Sequence, residues 1–358
     1  MRCSEQSACR GRRLRRSIVV ALTIAGMSAV LAPAAGATIW RSATELTAQP
    51  LSGVAWTSLA KAADGSLGTA NVADQNSAHD MSTLAAALAF QRTGAAAYRT
   101  KAAVGIAAAI GTERGGRVLA LGRNLAGYVV AAEAITLAKA DPALNARFRA
   151  WLSAARSAPL DGRTLISVSE ERPNNWGTMA GASRVAADVY LGDGADLARA
   201  ATVFRGYLGE RAAYAGFRYG SDLSWQADPK NPVGINPAGA VRNGFDVDGA
   251  LPDEMRRGCS LRADPCFTDY AWEALQGAVV EADILARNGY AAWSWGNRAL
   301  LRAAAYLDRL DRRFGGWWAK GDDTWQPWVI NRAYGTSLRT APARSGKIMG
   351  FTDWTHAR

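Results

Sequence analysis

The chain has 358 residues, with 42 Lys and Arg against 31 Asp and Glu, for a formal net charge of +11. Six of those Arg and one Glu lie in the first 37 residues, and without that segment the charge is +6. The remaining cations are scattered singly, which argues against nucleic acid as the partner. A mildly basic cleft suits an acidic polymer.

Residues 1–37 read as a secretory signal peptide. Arg10, Arg12, Arg13, Arg15 and Arg16 form a basic leader, an apolar stretch runs from Ile18 to Leu31, and Ala35-Gly36-Ala37 supplies a small-residue cleavage site. The paired arginines leave a twin-arginine route open beside the general one. The apolar stretch is too short for a membrane anchor. No other long apolar segment follows, so the reading is a soluble, secreted or periplasmic monomer without a membrane partner. Cys3 and Cys9 leave with the leader. Cys259 and Cys266 remain, and in an exported chain they predict one disulfide pinning a local loop. His79 and His356 are the only histidines, too few for a metal centre, and no cofactor is expected. All thirteen Trp lie after residue 37, where they serve either as sugar-stacking surfaces or as a large aromatic core.

From there the pattern is one of helical hairpins. Helices are predicted over 80–94, 96–111, 118–139, 142–157, 175–191, 195–209, 270–288 and 295–313, with stops at Gly94, Gly192 and Gly289. Helix pairs of similar length joined by short turns imply an all-α domain over 38–358, an incomplete or closed (α/α) toroid of helical hairpins with long irregular loops. Its concave face is the expected site. Residues 210–268 lose the helical period and become rich in Gly, Pro, Asn, Asp and aromatics. So does the tail from 316 to 358, which is expected to pack back onto the helices.

Three stretches carry candidate chemistry. The first, "RPNNWGTMAGASRVAADVYLGD" over 172–193, starts a helix with Asn174, Asn175 and Trp176. One Asn is a sufficient cap. A second amide at a helix N-terminus suits a carboxylate ligand, assisted by the helix dipole. The small face of Gly177, Ala180, Gly181 and Ser183 reads as packing. The second stretch, "LPDEMRRG" over 251–258, sets Arg256 and Arg257 in a Gly-rich loop, where they are either solvated charge or a bidentate grip on a carboxylate. In the third, Tyr270 opens the helix "YAWEALQGAVVEADILARNG", and alone it reads as core or interface.

Together these stretches resemble the alginate lyases of (α/α) toroid fold. That family carries Asn-Asn-His at a helix start, then a Leu-Pro-x-Glu-x-x-Arg segment, then a Tyr-x-x-x-Ala-Leu helix. The likeness is strongest from about 172 to 310; "HDMSTLAAALAFQRTG" and "INRAYGTS…GFTDWTH" resemble the wider alginate-lyase-like group. The resemblance implies β-elimination at a 4-linked uronic acid. Asn175 and Arg257, with Arg256 as the fallback, would neutralise the substrate carboxylate, and Tyr270 would be general base and acid. Trp176 stands where the family has His. The resemblance therefore implies either His79 as replacement or a site without histidine; His79 reads equally as a residue at its helix start.

Trp176, Trp225 and Trp272 are candidates to stack on sugars. Arg123 and Asn124, in "LGRNLAGY", either line a neighbouring subsite or sit in a helix cap. Two other classes fit the same residues. A glycoside hydrolase would need facing carboxylates such as Asp246, Asp248 and Glu254. A non-catalytic binder of acidic polysaccharide would tolerate loss of Tyr270. Alginate, polymannuronate and glucuronan are the candidate polymers.

Overall fold

Left-handed glycines end the helices where the sequence places the breaks: Gly94 at φ 71° and Gly192 at φ 70°, a conformation that costs glycine no Cβ clash. The structure is a computed structural model that describes residues 38–343 and 346–357; the expected signal peptide lies outside the described residues. In chain order the helices are α1 (Ala43–Thr47), α2 (Gly53–Asp64), α3 (His79–Thr93), α4 (Ala96–Ala109) and α5 (Val118–Ala134). Then come α6 (Leu137–Ala140), α7 (Pro142–Ser157), α8 (Leu165–Glu171), α9 (Asn175–Leu191) and α10 (Gly194–Tyr207). After the long loop follow α11 (Pro252–Met255), α12 (Tyr270–Arg287), α13 (Trp295–Phe314), α14 (Gln326–Tyr334) and α15 (Thr352–Thr355). The class is all-α. Apart from the Leu160–Arg163 bridge, the described residues hold a single antiparallel strand pair, Val241–Arg242 with Phe245–Asp246. No helix among them is long and apolar enough to cross a membrane.

α9 is the hub, packed on α5, α8, α10 and α12. Small residues on both sides of these contacts make that possible; on α9, a Cβ on Gly181 would lie 2.3 Å from Glu281 Oε2 of α12. A Cβ on Gly277 of α12 would lie 2.2 Å from the Thr178 carbonyl carbon, and one on Gly122 of α5 would lie 3.0 Å from Ala180 N. Ser183 completes the α5 contact, donating to Gly122 O at 2.8 Å and accepting from Ala126 N at 3.1 Å.

The loop over 210–268 is ordered by buried amides. Asn236 donates to Trp225 O at 2.7 Å and Val247 O at 3.2 Å, and accepts from Ala227 N at 3.2 Å. Gln226 pairs in both directions with Val233. The expected disulfide, Cys259–Cys266, closes its distal end. The tail does pack back: Trp317, Trp325 and Trp354 are all buried, and Trp354 Nε1 donates to Pro50 O at 2.9 Å.

Candidate functional site

The two asparagines at the start of α9 have different tasks. Asn174 is the cap: its Oδ1 accepts from Trp176 N at 3.1 Å, and its Nδ2 donates to Asp253 Oδ2 at 3.0 Å, clamping the loop that carries α11. Asn175 is 1% exposed and points the other way. Its backbone N–H donates to Glu254 Oε1 at 2.5 Å, its Nδ2 donates to Glu273 Oε2 at 2.7 Å, and its Oδ1 has no hydrogen-bond partner. A buried amide oxygen without a donor is costly unless something fills the place.

Glu254 sits behind Asn175, fully buried. Burial pushes its carboxyl up to about 8 against the opposing pull of the Asn175 N–H and of Arg257, whose guanidinium is 3.8 Å away. Arg257 turns its other side to Tyr270, with its guanidinium carbon 3.3 Å from the ring centroid. Tyr270 is the first residue of α12 and 36% exposed. One turn on, along the same face of the helix, Glu273 Oε2 accepts from both Asn175 and Arg123, the latter at 2.8 Å. Arg123 is buried on α5, with its Nε 3.4 Å from Met179 Sδ.

Four elements thus converge: α5 with Arg123, the start of α9 with Asn175, the α11 loop with Glu254 and Arg257, and α12 with Tyr270 and Glu273. Sequence reasoning missed Glu273 as the hub, although its position three residues after Tyr270 was a usable signal.

Other residues named from the sequence stand elsewhere. Arg256 is ion-paired to Asp253 at 2.8 Å and leans over Gly220, so it buttresses the loop. Trp176 does not offer a bare ring: the Arg172 guanidinium lies 4.6 Å and that of Arg117 5.6 Å from its centroid. Trp225 and Trp272 are 1% and 3% exposed, and their indole N–H groups donate to Cys259 O and Trp317 O, both at 2.8 Å. Neither has a face for a sugar; both belong to the core. Asn124 is neither a subsite residue nor a cap. It lies inside α5 and donates to Val72 O and Asp74 O at 3.2 and 2.9 Å.

His79 opens α3, is 3% exposed, and its Nδ1 lies 2.8 Å from the Tyr128 hydroxyl; burial holds its imidazole below the ordinary value. It is hydrogen-bonded to Tyr128 rather than to Asn175, Arg257 or Tyr270. His356 is buried against Trp40. Of the three carboxylates weighed for a hydrolase, Asp246 faces Arg309 at 3.3 Å, Asp248 binds Arg302 at 2.6 Å, and Glu254 is buried.

One acidic cluster has the spacing of a cation site: Asp188, Asp193 and Asp196 at the far end of α9. The Arg156 guanidinium already bonds all three, and Arg184 also binds Asp196. The cluster is a charge-compensated helix clamp. Comparison with protein-family models, with curated proteins and with solved structures finds no match to this chain.

Proposed function

We propose that the protein is a secreted polysaccharide lyase that cleaves a 4-linked polyuronate by β-elimination, on an (α/α) toroid whose concave face carries the site. The observation that supports this reading most is the Arg257–Tyr270 stack, with the Arg123–Glu273–Asn175 chain one helical turn away. The local likeness to the alginate lyases points the same way.

In this reading the uronate carboxylate is held by Arg257 and by the second Nδ2 hydrogen of Asn175, while Arg123 offsets the charge of Glu273. These groups stabilise the negative charge that grows on the carboxylate as C5 loses its proton. The Tyr270 phenolate takes that proton, the C4–O4 bond breaks, a C4=C5 double bond forms, and the neutral phenol passes the proton to O4. The Arg257 cation on the ring offsets the phenolate charge at both ends of the cycle. No histidine enters the step, and no cofactor is required.

The test is ultraviolet absorbance of the protein with alginate, polymannuronate, polyguluronate and glucuronan, beside Tyr270→Phe. Absorbance should rise with at least one polymer, and the variant should lose about 10²–10⁴-fold of the rate. New reducing ends without absorbance would identify a hydrolase. Binding without either product, unchanged in Tyr270→Phe, would identify a non-catalytic binder.

A further inference from the structure

Arg257 and Tyr270 are thirteen positions apart, and a covalent bond bridges the chain between them. Cys259 follows Arg257 by two positions, Cys266 precedes Tyr270 by four, and the disulfide joins the two with their Cα atoms 5.5 Å apart. The intervening chain is thus a loop on a short neck. One leg of the neck leads to the guanidinium and the other to the phenol.

The contact at the ends of those legs has little to hold it by itself. The Arg257 guanidinium carbon lies 3.3 Å from the ring centroid and its Nη1 3.8 Å from Glu254 Oε2, and neither contact is a hydrogen bond. A cation over a partly exposed ring is a weak attraction, and a long Arg side chain loses rotamer freedom to make it. The stack therefore depends on where the backbone puts its two ends.

The backbone is fixed at the neck. A Cβ on Gly258 would lie 2.2 Å from Cys266 O and 3.2 Å from Phe267 O, so the legs run against each other with no space for a side chain between them. Cys266 N donates to Cys259 Sγ at 3.1 Å. Each leg is also anchored. Cys259 O accepts from the buried Trp225 Nε1 at 2.8 Å, and Leu261 N donates to Ser224 Oγ at 2.9 Å. Phe267 meets the buried Trp317 edge to face, with centroids 5.4 Å apart. Tyr270 N donates to Thr268 Oγ1 at 3.2 Å, which leads the second leg into α12.

We propose that the Cys259–Cys266 disulfide positions the candidate site: by fixing the neck, it holds the Arg257 guanidinium on the Tyr270 ring. Cys259, Cys266 and Gly258 are then positioning residues that act through Arg257 and Tyr270. The consequence for rate rests on the lyase reading. The coupling of the neck to the stack stands without it.

The experiment uses Cys259→Ser/Cys266→Ser, which cuts the neck, and Gly258→Ala, which spreads it with the disulfide intact. Each is made in wild type and in Arg257→Ala, and circular dichroism checks the fold. Hydroxyl-radical footprinting reads the exposure of the Tyr270 ring, and kcat/KM is measured on the polymer that wild type cleaves. Freeing one of the two ring faces should raise Tyr270 labelling about twofold in both neck variants. Misplacing the guanidinium should lower kcat/KM about tenfold or more. In Arg257→Ala the labelling is already raised, and neither neck change should add to it, because no stack remains to misplace. Should the double serine variant not fold, Gly258→Ala carries the test. Unchanged labelling in the neck variants, or the same increment with and without Arg257, would overturn the positioning role. So would raised labelling with kcat/KM unchanged. Raised labelling in a protein that cleaves no polymer would overturn the lyase reading and keep the coupling of neck and stack.

Discussion

Gly277→Ala tests whether the α9–α12 contact sets both the stability and the site. The added Cβ would lie 2.2 Å from the Thr178 carbonyl carbon and 2.4 Å from Met179 N and Thr178 O, where ordinary contact begins at 3.4 Å. These are backbone atoms of the hub helix, so no side chain can swing aside, and the helices must part by roughly an ångström. Alanine gains about 1 kcal/mol in helix propensity over glycine. Overpacking of a well-packed core costs about 1–3 kcal/mol and sometimes more, and against backbone on both sides the upper end applies. The net expectation is a loss of about 2 kcal/mol. The same parting stretches the 2.7 Å Asn175–Glu273 bond, because each residue lies one turn before the contact. Urea denaturation followed by circular dichroism measures the first effect. Gly194→Ala is the control, since nothing lies within 4 Å of its added Cβ. A Gly277→Ala midpoint at or above wild type would refute the reasoning.

Glu254→Gln should change how stability depends on pH. The folded carboxyl titrates at about 8 and the ordinary one at 4.5, so its contribution is full below 4.5 and is lost as pH rises through 8. The variant should therefore gain Tm relative to wild type between pH 5 and pH 8, by an amount corresponding to a few kcal/mol; parallel Tm curves would show that Glu254 is ionised by Arg257. Replacing Cys259 and Cys266 with serine opens a loop of sequence separation 7 and should cost about 2.5 kcal/mol in chemical denaturation. Trp225→Phe removes the indole N–H from Cys259 O and should lower Tm while leaving oligouronate Kd unchanged; a raised Kd would return Trp225 to the site.

The helical hairpins were legible because their signals are local. Periodicity and the glycine stops locate α3, α4, α7, α9, α10, α12 and α13 to within a few residues, whereas the single helix expected over 118–139 breaks at Thr136, at φ 50°, into α5 and α6. α14 was missed inside an aromatic tail, since a nine-residue helix has too few turns to show its period. At the site, Asn175, Arg257 and Tyr270 were readable as motif positions, but their partners were not. Glu273 matters because α5 and α9 both reach it, across 150 and 98 residues of chain. Trp225 and Trp272 carry the aromatic signature of sugar binding, yet their indoles find carbonyls 34 and 45 residues away and settle in the core. Partnership over such separations is a property of the packing, and no window of sequence contains it.

The junction of the two ends has a consequence for biosynthesis. Trp40 packs against His356 at a tilt, with ring centroids 4.8 Å apart, and Pro50 O is capped by Trp354. Ile39 N is held by Glu133, and Thr38 O accepts from Asn288 at 3.3 Å. A chain emerging from the ribosome therefore makes its first core residues some three hundred positions before the residues that cover them. Closing so wide a separation is slow. Until α15 is synthesised, the surfaces of Trp40 and Trp56 that the tail covers stay open to water and to any holdase that binds apolar chain.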